Sequence, residues 1–166
     1  MHHLRLRIMR DSDVPAVAAL NAAAAPAVNP MPEEDLRALF AMTDVALVAT
    51  DRDRRLQAFV LSLAPGQPYG SENYRWFEAR GRRHQYIDRI VVAPTAKGTG
   101  VGRALYESVF ERARERGASE VTTEIQLEPP NPNSLAFHES LGFQRVAEQW
   151  TRGDTVRVAL LSRVVY

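Results

Sequence analysis

Glycines stand at positions 98, 100 and 102 in the stretch KGTGVG, residues 97–102, just before a run with helical periodicity. A strand-to-helix turn needs a positive φ at one or two residues. Three alternating glycines exceed that need, and each costs backbone entropy on ordering. A helix start presents unpaired N–H groups and a partial positive charge. Backbone without Cβ atoms lets an anion approach those groups, so the stretch suits a diphosphate. Two common nucleotide patterns fail here. After Gly98 and Gly100 the third position of G-x-G-x-x-G is Arg103, and no Gly-Lys-Ser/Thr follows a glycine at P-loop distance. ATP, GTP and NAD are disfavoured.

Other residues could do chemistry. Asp88 sits inside the otherwise apolar run YIDRIVV, and a carboxylate there needs a partner or a purpose. Arg89 is a poor partner, because adjacent side chains on a strand face opposite ways. Arg75 or Arg89 could hold a substrate carboxylate. The patch RGRRH, residues 80–84, raises nucleic-acid binding, but the patch is short and the net charge is +1. A solvated loop accounts for it. The chain has no cysteine, which removes disulfides, thiolate nucleophiles and Cys-type zinc sites and fits a reducing cytoplasm.

The elements that must position these residues follow from size and pattern. A chain of 166 residues with 45% hydrophobic and 25% charged residues is expected to form one soluble globular domain, residues 1–166. No apolar run approaches a membrane span, and MHHLRLRIMR lacks the apolar core of a signal peptide. The alternation of LRLRI predicts a strand over 4–8, and Asp11 or Ser12 can cap a helix running to about Ala25. Prolines break the chain at 26, 30 and 32, and a second helix is expected over 33–42. VALVAT (45–50) and RLQAFVLSL (55–63) flank the turn DRDR as an antiparallel hairpin. After a Pro/Gly loop, Ser71 can cap an aromatic helix, ENYRWFEAR. QYIDRIVV (85–92) and EVTTEIQL (120–127) read as strands around a helix over 100–116, with Val101, Leu105, Val109 and Ala113 on its apolar face and Gly117 as its stop. A short helix over 134–143 precedes a closing hairpin around RGD. The order implies an α/β (α+β) fold with one βαβ-like unit in an otherwise antiparallel sheet.

At this point VVAPTAKGTGVGRALYESV, residues 91–109, resembles the acetyl-CoA-binding segment of the GNAT superfamily of N-acetyltransferases, Gln/Arg-x-x-Gly-x-Gly/Ala between a strand and a helix. Lys97, Gly100 and Gly102 hold those positions. Lysine departs from the usual Gln or Arg, yet a backbone-mediated role survives the change and the charge suits phosphate. NPNSLAFHESLGF, residues 131–143, is similar to the family's N-x-x-A-x-x-x-Y-x-x-x-G-F, with Gly142 and Phe143 on the closing pair. The element order resembles GNAT over nearly the whole chain. YGSENYRWFEAR, YIDRIVV and PPNPNSLAFH together resemble a bacterial subfamily of predicted acetyltransferases, which supplies no substrate.

The resemblance implies a mixed, mostly antiparallel sheet flanked by helices, in which strands 85–92 and 120–127 splay apart and admit the pantetheine of acetyl-CoA. It implies cofactor contacts from Val91, Val92, Lys97, Gly98, Thr99, Gly100, Val101, Gly102, Arg103, Asn131 and Phe137, and no metal. An amine would attack the thioester directly, which requires a base. Glu124 is the first choice, by alignment with the glutamate of the L-E-V strand in ribosomal-protein-type members; a solvated carboxylate on a half-exposed strand is its alternative. Asp88 is the second choice. Together the two would favour a cationic amine. His138 stands where the family commonly carries the tyrosine that protonates the CoA thiolate, and a histidine can do the same work; packing against CoA is its alternative. The acceptor pocket is expected from 24–30 and 69–80, with Asn29, Tyr69, Tyr74, Trp76 and Phe77 as walls and Arg89 as a carboxylate clamp. The implied function is acetyl transfer to a primary amine of a small molecule, amino acid or peptide, in the cytoplasm, without nucleic acid or membrane and compatible with a homodimer. A non-catalytic acyl-CoA sensor and an RNA- or ribosome-associated module are the alternatives.

Overall fold

A computed structural model describes residues 3–81 and 83–166. The elements run β1 (Arg5–Ile8), α1 (Val14–Ala23), α2 (Glu33–Met42), β2 (Val45–Thr50), β3 (Leu56–Leu63), α3 (Glu72–Ala79), β4 (His84–Val92), α4 (Val101–Glu115), β5 (Glu120–Glu128), α5 (Pro132–Ser140), β6 (Gln144–Thr151) and β7 (Val156–Val164). The seven strands form a mixed, mostly antiparallel sheet in the order β1-β2-β3-β4-β5-β7-β6. The α/β class and the splayed strand pair stand as expected from the sequence. Among the described residues no helix is long and apolar enough to cross a membrane.

Contacts divide the chain into two compact units, residues 1–63 with 89–109, and residues 64–88 with 110–166. In the first unit β2 and β3 form the expected hairpin, paired from Val45↔Ser62 to Thr50↔Leu56. Its turn is fixed by Asp51, whose Oδ1 accepts from the N–H groups of Asp53 and Arg55, each at 2.9 Å. Val14, Val17, Leu36, Leu39, Phe59 and Leu61 are buried there. The first helix departs from expectation at both ends. A 3-10 turn occupies Asp11–Asp13, and α1 starts at Val14 and ends at Ala23. The Asp13 carboxylate accepts a bidentate pair from Arg7 at 2.7 and 2.8 Å and the Arg10 N–H at 2.7 Å. Those bonds, rather than Asp11 or Ser12, fix the entry to the helix.

In the second unit β4 and β5 run parallel, in register from His84↔Glu120 to Tyr86↔Thr122. One residue further the link is made by a side chain, with Thr123 Oγ1 donating to Ile87 O at 3.0 Å. β5 continues as a full antiparallel partner of β7, and β6 pairs with β7 as the closing hairpin. Ser71 caps α3, accepting from Tyr74 N–H at 3.3 Å. Gly117 takes φ 69° and Ala118 N–H donates back to Ala113 O at 2.9 Å, the glycine stop expected for α4. α5 starts two residues earlier than expected, at Pro132, because proline at the first helical position lacks only an N–H that would be unpaired there anyway.

Candidate active site

In the first unit a 3-10 turn at Pro94–Ala96 follows β4, and α4 begins at Val101. Between them Gly98 and Gly100 hold φ values of 77° and 83°, in the left-handed region that L side chains rarely adopt. A Cβ built at either glycine would meet nothing within 4 Å. Packing therefore does not demand these glycines; the backbone conformation and the open approach do. Among the described residues the N–H groups of Gly98, Gly100, Gly102 and Arg103 have no protein acceptor. The Thr99 hydroxyl, in contrast, is committed to Ala96 O, and Val101 N–H lies 3.4 Å from Thr99 Oγ1. Lys97 is exposed beside this cradle. A cradle of free donors at the start of a 15-residue helix, with a lysine at its edge, fits a diphosphate. Val91 is buried and Val92 half-buried at the end of β4, and the next N–H, of Ala93, is tied to Gln57 O at 2.8 Å.

The same unit holds Arg89 and Asn29. Arg89 is 8% exposed, and its Nη1 donates to Asn21 Oδ1 at 3.2 Å and to the main-chain oxygen of Asn29 at 3.0 Å. The Asn29 side chain stays exposed. This guanidinium nitrogen, expected to hold a substrate carboxylate, is directed at the chain itself.

The second unit gathers the candidate carboxylates. Tyr86 and Asp88 are two apart on β4 and share a face. Tyr86, fully buried, donates its hydroxyl to Glu124 Oε2 on β5 at 2.7 Å. Tyr69 donates to Asp88 Oδ1, also at 2.7 Å. Burial, followed by the charges of Glu124 and Asp88, pushes the Tyr86 phenol well above its ordinary range, so it stays protonated and remains a donor. Both carboxylates are half-buried. Sequence reading named Glu124, Asp88 and Tyr69 but missed Tyr86. The i,i+2 spacing with Asp88 was the available signal.

The expected aromatic walls behave differently from one another. Tyr74 is a core residue, 1% exposed, which donates to Ala64 O at 2.7 Å and accepts from Gln67 N–H. Its ring packs on Tyr69, His84 and Tyr86. Phe77 is equally buried, and Trp76 is half-buried with its ring edge-on to Phe77. Arg75 is exposed. Arg82 of the basic patch lies outside the described residues.

On α5, Asn131 is the N-cap residue and accepts from Leu135 N–H through its main-chain oxygen at 3.2 Å. Phe137 is exposed, whereas His138 is buried between Phe137 and Phe143. His138 Nδ1 lies 2.7 Å from Ser134 O. A carbonyl only accepts, so Nδ1 carries hydrogen and Nε2 is the atom that gains or loses a proton. Burial pushes the imidazole below its ordinary value, with the bond to Ser134 O working against it. At neutral pH the ring is therefore uncharged. Among the described residues no group of three or more His, Asp and Glu side chains could hold a metal.

The family model described as Acetyltransferase (GNAT) family matches residues 16–143. A glucosamine 6-phosphate N-acetyltransferase of Trypanosoma brucei brucei is 35% identical over 78 residues, 47% of this chain and 49% of that protein. An L-amino acid N-acyltransferase of Escherichia coli (strain K12) is 33% identical over 73 residues, 44% of this chain and 41% of that protein. The chain spans less than half the length of the curated relatives it matches. The crystal structure of the ribosomal-protein-S18-alanine N-acetyltransferase from Escherichia coli superposes with a TM-score of 0.74 at 17% identity, covering 98% of this chain and 94% of that one, a likeness of fold. With 128 consecutive positions matched by the family model, from 16 to 143, the chain belongs to the GNAT acetyltransferase family.

Proposed function

We propose that the protein is an acetyl-CoA-dependent N-acetyltransferase that modifies a primary amine of a small molecule, amino acid or peptide terminus. The carrying observation is the cradle at 97–103: two left-handed glycines with open space above them and four N–H groups without protein acceptors. These groups hold the diphosphate, with Lys97 adding charge. Val91 and Val92 offer main chain to the pantetheine, and Asn131 and Phe137 are assigned contacts with the same arm. Acetyl-CoA supplies an activated thioester carbonyl. β4 and α4 each run through both compact units, which supports treating residues 1–166 as one catalytic domain.

Glu124 takes the proton of the attacking amine, and the Tyr86 hydroxyl on Oε2 fixes the carboxylate's orientation. Asp88, held by Tyr69, adds negative charge that favours a cationic acceptor. In its protonated form His138 gives the Nε2 proton to the departing thiolate; the neutral ring, whose one N–H is committed to Ser134 O, does not. With Nδ1 committed to Ser134 O and burial lowering the pKa, its acid form grows as pH falls. Tyr69 and Trp76 are assigned to the acceptor, and Asn29 is assigned to it separately. A cytoplasmic bacterial setting is in keeping with the absence of cysteine and with the subfamily resemblance.

The test is release of free thiol from acetyl-CoA in the presence of glucosamine 6-phosphate, free L-amino acids and an alanine-terminated peptide, the acceptor types named for the similar proteins. Turnover with any amine supports the reading. Binding of acetyl-CoA without turnover across the panel makes the protein a sensor, and binding of NAD or ATP in its place overturns the family-based assignment of the cradle. Light scattering of the same preparation tests whether the chain forms a homodimer.

A further inference from the structure

Residues 24–30, AAPAVNP, leave the end of α1 and carry three exposed residues in a row, Ala25, Pro26 and Ala27. Among the described residues the hydrogen bonds of this loop are local, with one exception. Ala24 N–H donates to Asn21 O, Ala25 N–H to Ala22 O and Val28 N–H to Ala24 O. The exception converges on a single atom, the carbonyl oxygen of Asn29. It accepts from Asn21 Nδ2 at 3.0 Å and from Arg89 Nη1 at 3.0 Å, while the same Nη1 also donates to Asn21 Oδ1 at 3.2 Å. Asn21 is 0% exposed and Arg89 8%. A buried cation and a buried amide thus close a three-membered node on one exposed loop residue. Asn21 belongs to α1 and Arg89 to β4, so two rigid elements pin the loop at one point.

We infer that Asn21 and Arg89 are positioning residues for the acceptor: by clamping the Asn29 carbonyl they hold loop 24–30 in the shape that admits the amine. This rests on the reading that 24–30 lines the acceptor pocket. The assignment explains why an arginine is buried at that position of β4. The planar guanidinium can serve two acceptors in a fixed geometry, whereas a lysine ammonium is a point charge on a flexible stem. It also explains why a polar Asn21 stands on the buried side of α1 beside Val14 and Val17. A buried amide is retained where its donor and acceptor are both used.

The experiment compares the parent chain with Asn21→Ala, Arg89→Lys and Ala27→Trp. Hydrogen exchange is followed at the amides of Ala24, Ala25 and Val28. Steady-state kinetics use glucosamine 6-phosphate, L-alanine and an alanine-terminated peptide as acceptors. In Asn21→Ala and Arg89→Lys these amides should exchange several-fold faster. KM for the acceptor should rise on the order of tenfold, less than the hundredfold that a full ångström of misplacement costs. KM for acetyl-CoA and the cooperativity of melting should stay as in the parent, which a general loss of structure would not allow. Unchanged exchange in both clamp variants overturns the inference, whether or not any probe is turned over. If Ala27→Trp raises the acceptor KM while the clamp variants do not, the clamp is wrong and the pocket reading stands. If the clamp variants loosen the loop and neither they nor Ala27→Trp alter acceptor KM, the pocket reading fails and takes the inference with it.

Discussion

The cradle at 97–103 and the carboxylates of β4 and β5 are built on opposite principles. The cradle works through main-chain N–H groups, and its requirement falls on backbone angles: φ 77° at Gly98 and 83° at Gly100. On the proposed reading, a backbone-mediated role tolerates lysine at 97, where the family usually carries Gln or Arg. Glu124 and Asp88, on the same reading, work through side-chain atoms, and each accepts from a tyrosine hydroxyl, of Tyr86 and of Tyr69. The two carboxylate pairs also differ from each other. Tyr86 stands on β4 and is wholly buried, whereas Tyr69 is half-buried on the loop before α3. A main-chain site is robust to most substitutions and fails at glycine. A side-chain site fails wherever a partner is removed, and the more buried the partner, the larger the loss.

The largest expected effect is at the proposed base. Glu124→Gln keeps the shape and the acceptor oxygen for Tyr86 but removes basicity. It should lower kcat by about 10²- to 10⁴-fold and flatten the rising limb of the pH–rate profile. The parallel change Asp88→Asn should mainly raise the KM of a cationic acceptor. If the two outcomes are exchanged, the base is Asp88 and the roles on this face are reversed.

Next in size is Gly100→Val. A β-branched residue at this positive φ is strained by roughly 1–2 kcal/mol, and its Cβ enters the open space above the cradle. KM for acetyl-CoA should rise about tenfold, the equivalent of roughly 1.4 kcal/mol, with kcat at saturation little changed. Lys97→Gln should have a smaller effect on the same constant. A larger loss at Lys97 than at Gly100 would show that charge, and not backbone approach, dominates binding.

At pH below the pKa of His138, His138→Phe should lower kcat by about tenfold, short of the 10² of full acid catalysis because a thiolate can also leave unassisted. His138→Tyr should restore much of the rate. The parent rate should fall as pH rises through the pKa of His138, which lies below the ordinary 6.5, and the Phe variant should lose this limb. The same shift has a stability consequence. The unfolded chain binds the proton more readily than the folded one, so the contribution of His138 is complete above 6.5 and declines as pH falls toward the folded pKa. Melting temperature against pH reads it, and an unchanged slope in His138→Phe would refute the burial effect.

The smallest effects compare the two tyrosines. Tyr86→Phe leaves a carboxylate oxygen without its buried donor and should cost about 1–3 kcal/mol, whereas Tyr69→Phe, nearer solvent, should cost about 1 kcal/mol or less. Denaturant unfolding measures both. Equal costs would mean that water replaces either hydroxyl and that burial does not separate the pairs.

The local pattern alone determined the cradle, the hairpins and nearly every element. β2, α2 and the Ser71 cap fall where the sequence puts them, because turn residues, capping hydroxyls and hydrophobic period act within a few residues of themselves. Glycines at 98 and 100 announced positive φ for the same reason. The entry to α1 was less legible, since Asp13 is drawn to Arg7 across the strand-to-helix turn rather than to its own helix. Only tertiary structure decided the partners of the chemical side chains. Tyr86 meets Glu124 across 38 positions and Arg89 meets Asn29 across 60. No periodicity within a strand can say which hydroxyl or carbonyl the fold brings to its face, because those distances are set by strand pairing and core packing, where the interacting groups share no local pattern.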